Sequence, residues 1–264
     1  MTAQVTTTTQ RTNRPAAIIR AARPRQWIKN VLVLAAPALA GQLGDGSVLV
    51  HSAIAFVAFC LAASGIYFVN DVRDVAEDRA HPTKRFRPIA SGEVSTSAAI
   101  TCGVVLLVAA LGVSATASGQ LFAVIATYEV ASLVYCLALK DEPVIDIAII
   151  ASGFLLRAIA GGAASGIPLS QWFLLAASFG SLFMAAGKRY AEVVMLGEGE
   201  TATRRSLGRY TETYLRFVWS VSAAILIMTY GLWAFEIREV GLRHRRIGLG
   251  RIGPGDEPRR LGAR

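Results

Sequence analysis

Charge is what this sequence has least of. Only 17% of its 264 residues are Asp, Glu, Lys or Arg, against about 25% in an ordinary soluble domain. With 53% hydrophobic residues and a mean hydropathy of +0.47, grouped in long apolar blocks, this argues against a water-soluble globule. It points to several membrane spans within one domain. Cysteine is also scarce. Cys60, Cys102 and Cys136 each sit inside an apolar block and no CxxC pair exists, which excludes a disulfide framework and a thiolate metal site. They read as small core or lipid-facing residues. Histidine occurs three times, and none stands out as a catalytic base. The opening Met1–Thr9 lacks the basic and apolar regions of a cleaved signal peptide. Residues 1–22 read as a disordered cytoplasmic start.

The apolar blocks predict an all-α, polytopic membrane bundle of about seven spans, near Trp27–Leu43, Val48–Asn70, Ser97–Ala117, Gln120–Leu139, Val144–Ala163, Gln171–Lys188 and Thr213–Phe235. The net charge of +9 is unevenly spread. Basic residues gather before span one and in the links after spans two, four and six. The links after spans one, three and five (41–47, 118–119 and 162–170) carry none. By the positive-inside rule this places the N-terminus and every charged link in the cytoplasm, in a plasma-membrane protein. Basic charge confined to one membrane face serves orientation and phosphate groups, so no nucleic-acid partner is expected.

Residues 23–236 therefore read as the transmembrane domain, and 237–264 as a separate tail. The tail holds eight Arg, six Gly and two Pro without an apolar run long enough to span. After seven spans it would lie outside, with dense basic charge on the unfavoured side. A frameshifted or otherwise non-native ending would produce such a composition.

The strongest signal runs from Asn70 to Asp78. Asp71, Asp74 and Asp78 have the three- and four-residue spacing that stacks side chains on one helix face, at the end of span two. Burying three carboxylates at a membrane boundary is costly unless a cation neutralises them. Mg²⁺ suits oxygen donors and often bridges carboxylates to substrate phosphates. Zn²⁺ is disfavoured without His or Cys in the segment. The bland alternative is a solvated acidic helix end paired with Arg73 and Arg79.

Downstream, the two prolines of His81–Pro88 stiffen a loop carrying Lys84, Arg85 and Arg87. These suit a pyrophosphate group, unless they serve topology alone. Lys140, Asp141 and Asp146 flank Pro143 at the entry to span five, where Asp141 and Asp146 are candidates for a second carboxylate set opposite the first. Arg157 is the basic residue deep in an apolar block, a functional position by default in a membrane. Lys188 and Arg189 end span six, where Lys188 can pair with Glu192 or reach a lipid phosphate.

Taken together, Asn70–Asp78 and Lys140–Asp146 resemble the paired Asp-rich motifs of the UbiA superfamily of intramembrane prenyltransferases. The stretches 23–30, 81–90, 156–162 and 187–192 look more narrowly like a branch that moves 5-phosphoribose from phosphoribosyl pyrophosphate to decaprenyl phosphate. The resemblance covers about residues 20–236. It implies a nine-span bundle around a central cavity, two spans more than counted here, and a product that feeds arabinan synthesis in the cell wall.

Combined with the residue reading, this assigns Mg²⁺ on the donor pyrophosphate to Asp71, Asp74 and Asp78, aided by Asn70. Lys84, Arg85 and Arg87 are expected on donor phosphates, and Lys140, Asp141 and Asp146 on the polar site or the ribose. Lys29, Arg157, Lys188 and Arg189 are candidates for substrate phosphates, the first three for the lipid acceptor. Self-association into a homo-oligomer is left open. Two other readings compete. One is a related enzyme moving a prenyl chain onto an aromatic ring. The other is a secondary transporter using Asp71, Asp146 and Arg157, although no inverted repeat is evident and three clustered Asp exceed what ion coupling needs.

Overall fold

The computed structural model describes residues 14–140, 142–196 and 210–249, with side chains as far as 194 and 235 in the last two stretches. The described residues form helices and their connections, with no strand. In order these are α1 (Arg14–Ala21), a 3₁₀ segment (Pro24–Leu34), α2 (Ala35–Leu39), α3 (Gly46–Arg73), α4 (Val75–Ala80), a short 3₁₀ turn (Lys84–Phe86), α5 (Thr96–Ala115), α6 (Gly119–Val134) running into a π-helical turn (Tyr135–Leu139), α7 (Ile145–Ser165), α8 (Gln171–Leu196) and α9 (Glu212–Leu249).

Helix starts follow local chemistry. The Asp45 carboxylate accepts from the amides of Ser47 (2.7 Å) and Val48 (3.3 Å) at the head of α3. Ser95 caps α5 through Ala98 N (3.3 Å) and Ser118 caps α6 through Leu121 N (2.9 Å). The Ser118 hydroxyl also donates to the Ala163 carbonyl at 2.7 Å, tying the start of α6 to the end of α7.

Helix α3 is the central post. Its buried face is built of small residues around two aromatics, with Ala55, Ala58, Phe59, Ala62 and Phe68 all fully buried. The first four pack with Leu121 and Ile125 of α6 and Ala160 of α7. Gly65 lets α3 and α5 cross closely, since a Cβ there would lie 2.8 Å from Leu107 Cγ and 3.0 Å from the Gly103 carbonyl.

Among the described residues five helices are long and apolar enough to cross a membrane: α3, α5, α6 with its π turn, α7 and the Glu212–Phe235 part of α9. They match the expected spans two to five and seven. Helix α8, the expected span six, has the length but is more polar, and it packs between α7 and α9. The expected first span, Trp27–Leu43, is corrected: it is a 3₁₀ segment followed by the short α2. A 3₁₀ helix puts every third residue on one face. Trp27, Asn30 and Val33 accordingly turn inward, while Ile28 and Val31 are exposed. Runs this long are uncommon because their hydrogen bonds are poorer, and this one is held by its inward partners. Trp27 Nε1 donates to Ser64 Oγ at 3.1 Å, and Val33 presents its carbonyl to Gly161 of α7.

The α9 backbone runs through residue 237, where the tail was expected to begin, and on to Leu249. The first proline after Phe235 is Pro254, so nothing interrupts the helix earlier. The remainder of the expected tail, 250–264, lies outside the described residues.

Candidate functional site

The first half of the site forms where α3 ends. Asp74 takes φ −89°, ψ 8° and separates α3 from α4, so Asp71, Asp74 and Asp78 do not lie on one continuous helix face as the spacing predicted. Arg87 Nη1 donates to Asp78 Oδ2 at 2.7 Å and to Asp71 Oδ1 at 3.3 Å. Asp71 Oδ1 also accepts from Arg23 Nη2 at 2.5 Å. Asp74 turns the other way and accepts from Lys140 Nζ at 2.5 Å, with Glu77 3.7 Å from the same ammonium. Asp71 and Asp78 are buried and Glu77 is exposed. Of the basic loop, Arg87 thus belongs to the carboxylate cluster rather than standing free for a phosphate.

Lys84 and Arg85 differ. Among the described residues neither has a carboxylate partner, and the Arg85 guanidinium lies 4.9 Å over the Phe86 ring. The loop that carries them is organised locally. His81 Nδ1 accepts from the amides of Thr83 (3.2 Å) and Lys84 (3.3 Å), and Arg79 Nε donates to the Ala90 carbonyl at 3.0 Å.

No three acidic, His or Cys side chains among the described residues converge as a ready-made metal cage. Mg²⁺ rarely needs one, because it usually takes one or two carboxylates and completes its shell with water and substrate phosphate. Asp71 and Asp78 both accept from a single guanidinium nitrogen, so two hard oxygen donors already face one centre of positive charge. The donor set fits Mg²⁺. Asn70 Oδ1 accepts from Cys136 Sγ at 3.7 Å.

The second half of the site is the connection from α6 to α7. Asp146, expected opposite the first aspartates, is fully buried and held by Arg189, through Nε at 2.6 Å and Nη2 at 3.0 Å, with the Tyr135 hydroxyl donating to Oδ1. Arg189 also donates to Glu192 and is itself buried. Asp146 and Arg189 join α7 to α8, because an unpaired carboxylate in the first turn of a buried helix would be too costly. Lys188 lies 3.7 Å from Glu192, as its spacing predicted, and remains exposed. Asp141 lies outside the described residues.

Deeper, Arg157 is buried without a carboxylate partner among the described residues. Its Nε donates to Asn30 Oδ1 at 2.7 Å, Nη1 to the Gly153 carbonyl at 2.5 Å and Nη2 to the Tyr128 hydroxyl at 3.2 Å. The guanidinium lies 5.1 Å from the Phe59 ring centroid and 4.9 Å from that of Tyr128. Cation–π contacts and neutral acceptors orient this charge without cancelling it. Three of its five N–H groups are engaged, which leaves two for an anion. Lys29 lies within electrostatic reach of Arg157, Lys188 and Arg23. It also lines a cavity of about 960 Å³ between the 3₁₀ segment, α2, α7, α8 and α9. The other walls of that cavity include Phe154, Trp172, Phe173, Met184 and Trp233. The geometry thus offers a carboxylate cluster at one end, a group of cations beside it and a long apolar groove.

Sequence reasoning missed Arg23, Asn30, Tyr135 and Tyr210 as partners in this arrangement. Arg23 and Asn30 stood in a quoted stretch but carried no charge pattern of their own. A positive φ of 55° at Arg23 turns its side chain back toward Asp71, which no spacing rule signals.

The fold and its relatives agree. The UbiA prenyltransferase family matches residues 31–241. The chain is 54% identical over 230 residues to the decaprenyl-phosphate phosphoribosyltransferase of Mycolicibacterium smegmatis, which covers 85% of this chain and 72% of the relative. It is 53% identical over 226 residues to the protein of that name from Corynebacterium glutamicum, covering 84% and 68%. Among solved structures, a UbiA homolog from Archaeoglobus fulgidus bound to GPP and Mg²⁺ superposes with a TM-score of 0.66 at 18% identity, over 83% of this chain and 77% of that one. That likeness concerns the fold alone. With its multiple apolar helices and this family match over most of its length, the chain is a multi-pass membrane protein of the UbiA prenyltransferase family.

Proposed function

We propose that the chain transfers 5-phosphoribose from phosphoribosyl pyrophosphate to decaprenyl phosphate and releases pyrophosphate, for cell-wall arabinan synthesis. The observation that carries this reading is the identity of 53–54%, over most of the chain, to proteins named decaprenyl-phosphate phosphoribosyltransferase. The arrangement of the site supports it. A polyprenyl phosphate needs an apolar groove with cations at its head, and Lys29 stands at such a place. We place the active site and the N-terminus on the cytoplasmic side of the plasma membrane, from the distribution of basic residues.

In this reading Asp71 and Asp78 would hold Mg²⁺ at the donor pyrophosphate, and Asp74, turned toward Lys140, would add its charge to the same acidic site, with Asn70. The bound metal supplies neutralisation of the charge that grows on the departing group. Lys84 and Arg85 grip the donor phosphates, Arg as a fork and Lys as a point charge. Arg23, Arg87 and Lys140 hold the aspartates in place. Lys29, Arg157 and Lys188 draw the lipid phosphate to the top of the groove. One of its oxygens attacks C1 of the ribose, and the C1–O bond breaks with its electron pair leaving on the pyrophosphate. A phosphate oxygen is already anionic at neutral pH, so no general base is required.

The direct test incubates the purified protein with ribose-labelled donor, decaprenyl phosphate and Mg²⁺. Label is expected to move into the lipid fraction as pyrophosphate appears. Transfer from a labelled prenyl pyrophosphate to an aromatic acid, with no transfer from the ribosyl donor, would favour the related prenyltransferase activity instead. Within this reading Arg85→Ala is expected to raise the donor KM about tenfold, the scale of one charge-assisted hydrogen bond, and to leave the lipid KM unchanged. Equal effects on both substrates would assign Arg85 to topology.

A further inference from the structure

The connection between α6 and α7 contains a feature that neither the fold nor the chemistry above uses. Val144 has φ 68° and ψ −53°, and Ile145 N donates to the Pro143 carbonyl at 2.8 Å. This is a three-residue γ-turn with positive φ, rare and strained, and a β-branched residue is badly suited to its centre. Such a conformation persists only where the surroundings over-determine it. Packing of Val144 itself does not hold it, since that side chain is 54% exposed.

The hold comes from two other places. The Val144 amide donates to the Tyr210 hydroxyl at 2.8 Å, and two residues further on Asp146 is clamped by Arg189. The Tyr210 ring is buried in a cluster with Ile147, Ala151, Ala185 and Leu215, and it stacks on Tyr214 at 6.1 Å. Its oxygen is therefore fixed by the core shared by α7, α8 and α9. Burial pushes the Tyr210 phenol above its ordinary pKa, so it remains a neutral acceptor. On the other side of the turn, Lys140 reaches across to Asp74 at 2.5 Å.

We propose that Tyr210 is a positioning residue for the donor site: by holding the Val144 amide it fixes the strained turn that aims Lys140 at Asp74. This rests on the reading that Asp74 belongs to the donor site. Tyr210 touches neither substrate; it acts through the turn, from the head of α9 to the aspartate cluster at the end of α3.

The test uses the full chain in detergent or nanodiscs, with three variants. Tyr210→Phe keeps the ring and removes the acceptor. It is expected to raise the donor KM on the order of fivefold, with the lipid KM unchanged. Val144→Gly is expected to be near wild type, because glycine adopts positive φ without support. In Y210F/V144G the donor KM is expected to return toward the wild-type value, a rescue that mere loss of core stability would not produce. Hydrogen exchange gives a readout apart from activity. The Val144 amide should be protected in the wild type and exposed in Y210F. A wild-type donor KM in Y210F, a raised KM that V144G fails to rescue, or rapid exchange at Val144 in the unaltered protein would each overturn the proposal. Full transfer in Asp74→Asn would instead overturn the donor-site reading, so the two failures are told apart.

Discussion

Asp74→Asn is expected to reduce Mg²⁺-dependent phosphoribosyl transfer by about 10³-fold, roughly 4 kcal/mol of transition-state stabilisation, while the protein still inserts in the membrane. Asp74 is chosen over its neighbours for a structural reason. Asp71 is buried beneath both Arg23 and Arg87, so neutralising it strands Arg23, leaves Arg87 with Asp78 alone and risks the fold. Asp74 carries one partner, Lys140 at 2.5 Å, and that ammonium keeps Glu77 at 3.7 Å as a second countercharge. The amide is nearly isosteric, so the chief loss is one negative charge from the acidic cluster around the proposed metal. Glu77→Gln is the control, because the Glu77 side chain is 78% exposed and its neutralisation should change rates by no more than about twofold. Binding of Mn²⁺, followed by its paramagnetic signal without substrate, should weaken in D74N and not in E77Q. Near-wild-type turnover of D74N would remove Asp74 from the site.

Gly161→Ala is expected to destabilise the bundle by about 3 kcal/mol or more, the upper range for overpacking. A Cβ at Gly161 would lie 1.9 Å from the Val33 carbonyl oxygen and 2.9 Å from Pro37 Cδ. The first of these atoms is backbone, so no side chain can swing away and α7 must separate from the 3₁₀ segment. That segment carries Lys29 and the buried Asn30, which accepts from Arg157 at 2.7 Å, so activity should fall along with stability. Gly112→Ala on α5 is the control, since nothing lies within 4 Å of its Cβ position. Replacing glycine in a helix should there be neutral or stabilising by up to about 1 kcal/mol. Thermal aggregation in detergent measures both. A G161A protein that aggregates at the wild-type temperature would mean the close approach of α7 to Val33 is not a constraint on folding.

The candidate site was legible in part, and the division follows chemistry. Asp71, Asp74 and Asp78 announce themselves because three carboxylates close together at the end of an apolar block are unusual. Arg157 does so because a charge inside one is costly. The same rule singled out Asp146 without naming what it meets. It marks a buried carboxylate as requiring a partner and says nothing of whether that partner is a substrate or Arg189, 43 residues away. Arg87 and Arg85 sit two apart in one basic loop, and composition treats them alike. Only the folded loop sends one to the aspartates and leaves the other over Phe86.

Hydropathy is a property of consecutive residues, so the sequence alone determined that the chain is helical, that it crosses a membrane several times and where most of the spans lie. The spacing of acids and the placing of basic links are local in the same sense, and they marked the end of the bundle where the aspartates and their basic partners gather. Partners across helices are not local. The Arg23–Asp71, Lys140–Asp74 and Arg157–Asn30 contacts join residues 48, 66 and 127 positions apart, and each depends on how the helices cross. The first span became a 3₁₀ segment, against the α-helix its apolar run predicted, in contact with Gly161 of α7 and with Ser64 bonded to Trp27. Tertiary structure decided these points because close packing and the pairing of buried polar groups are settled only when separate parts of the chain meet.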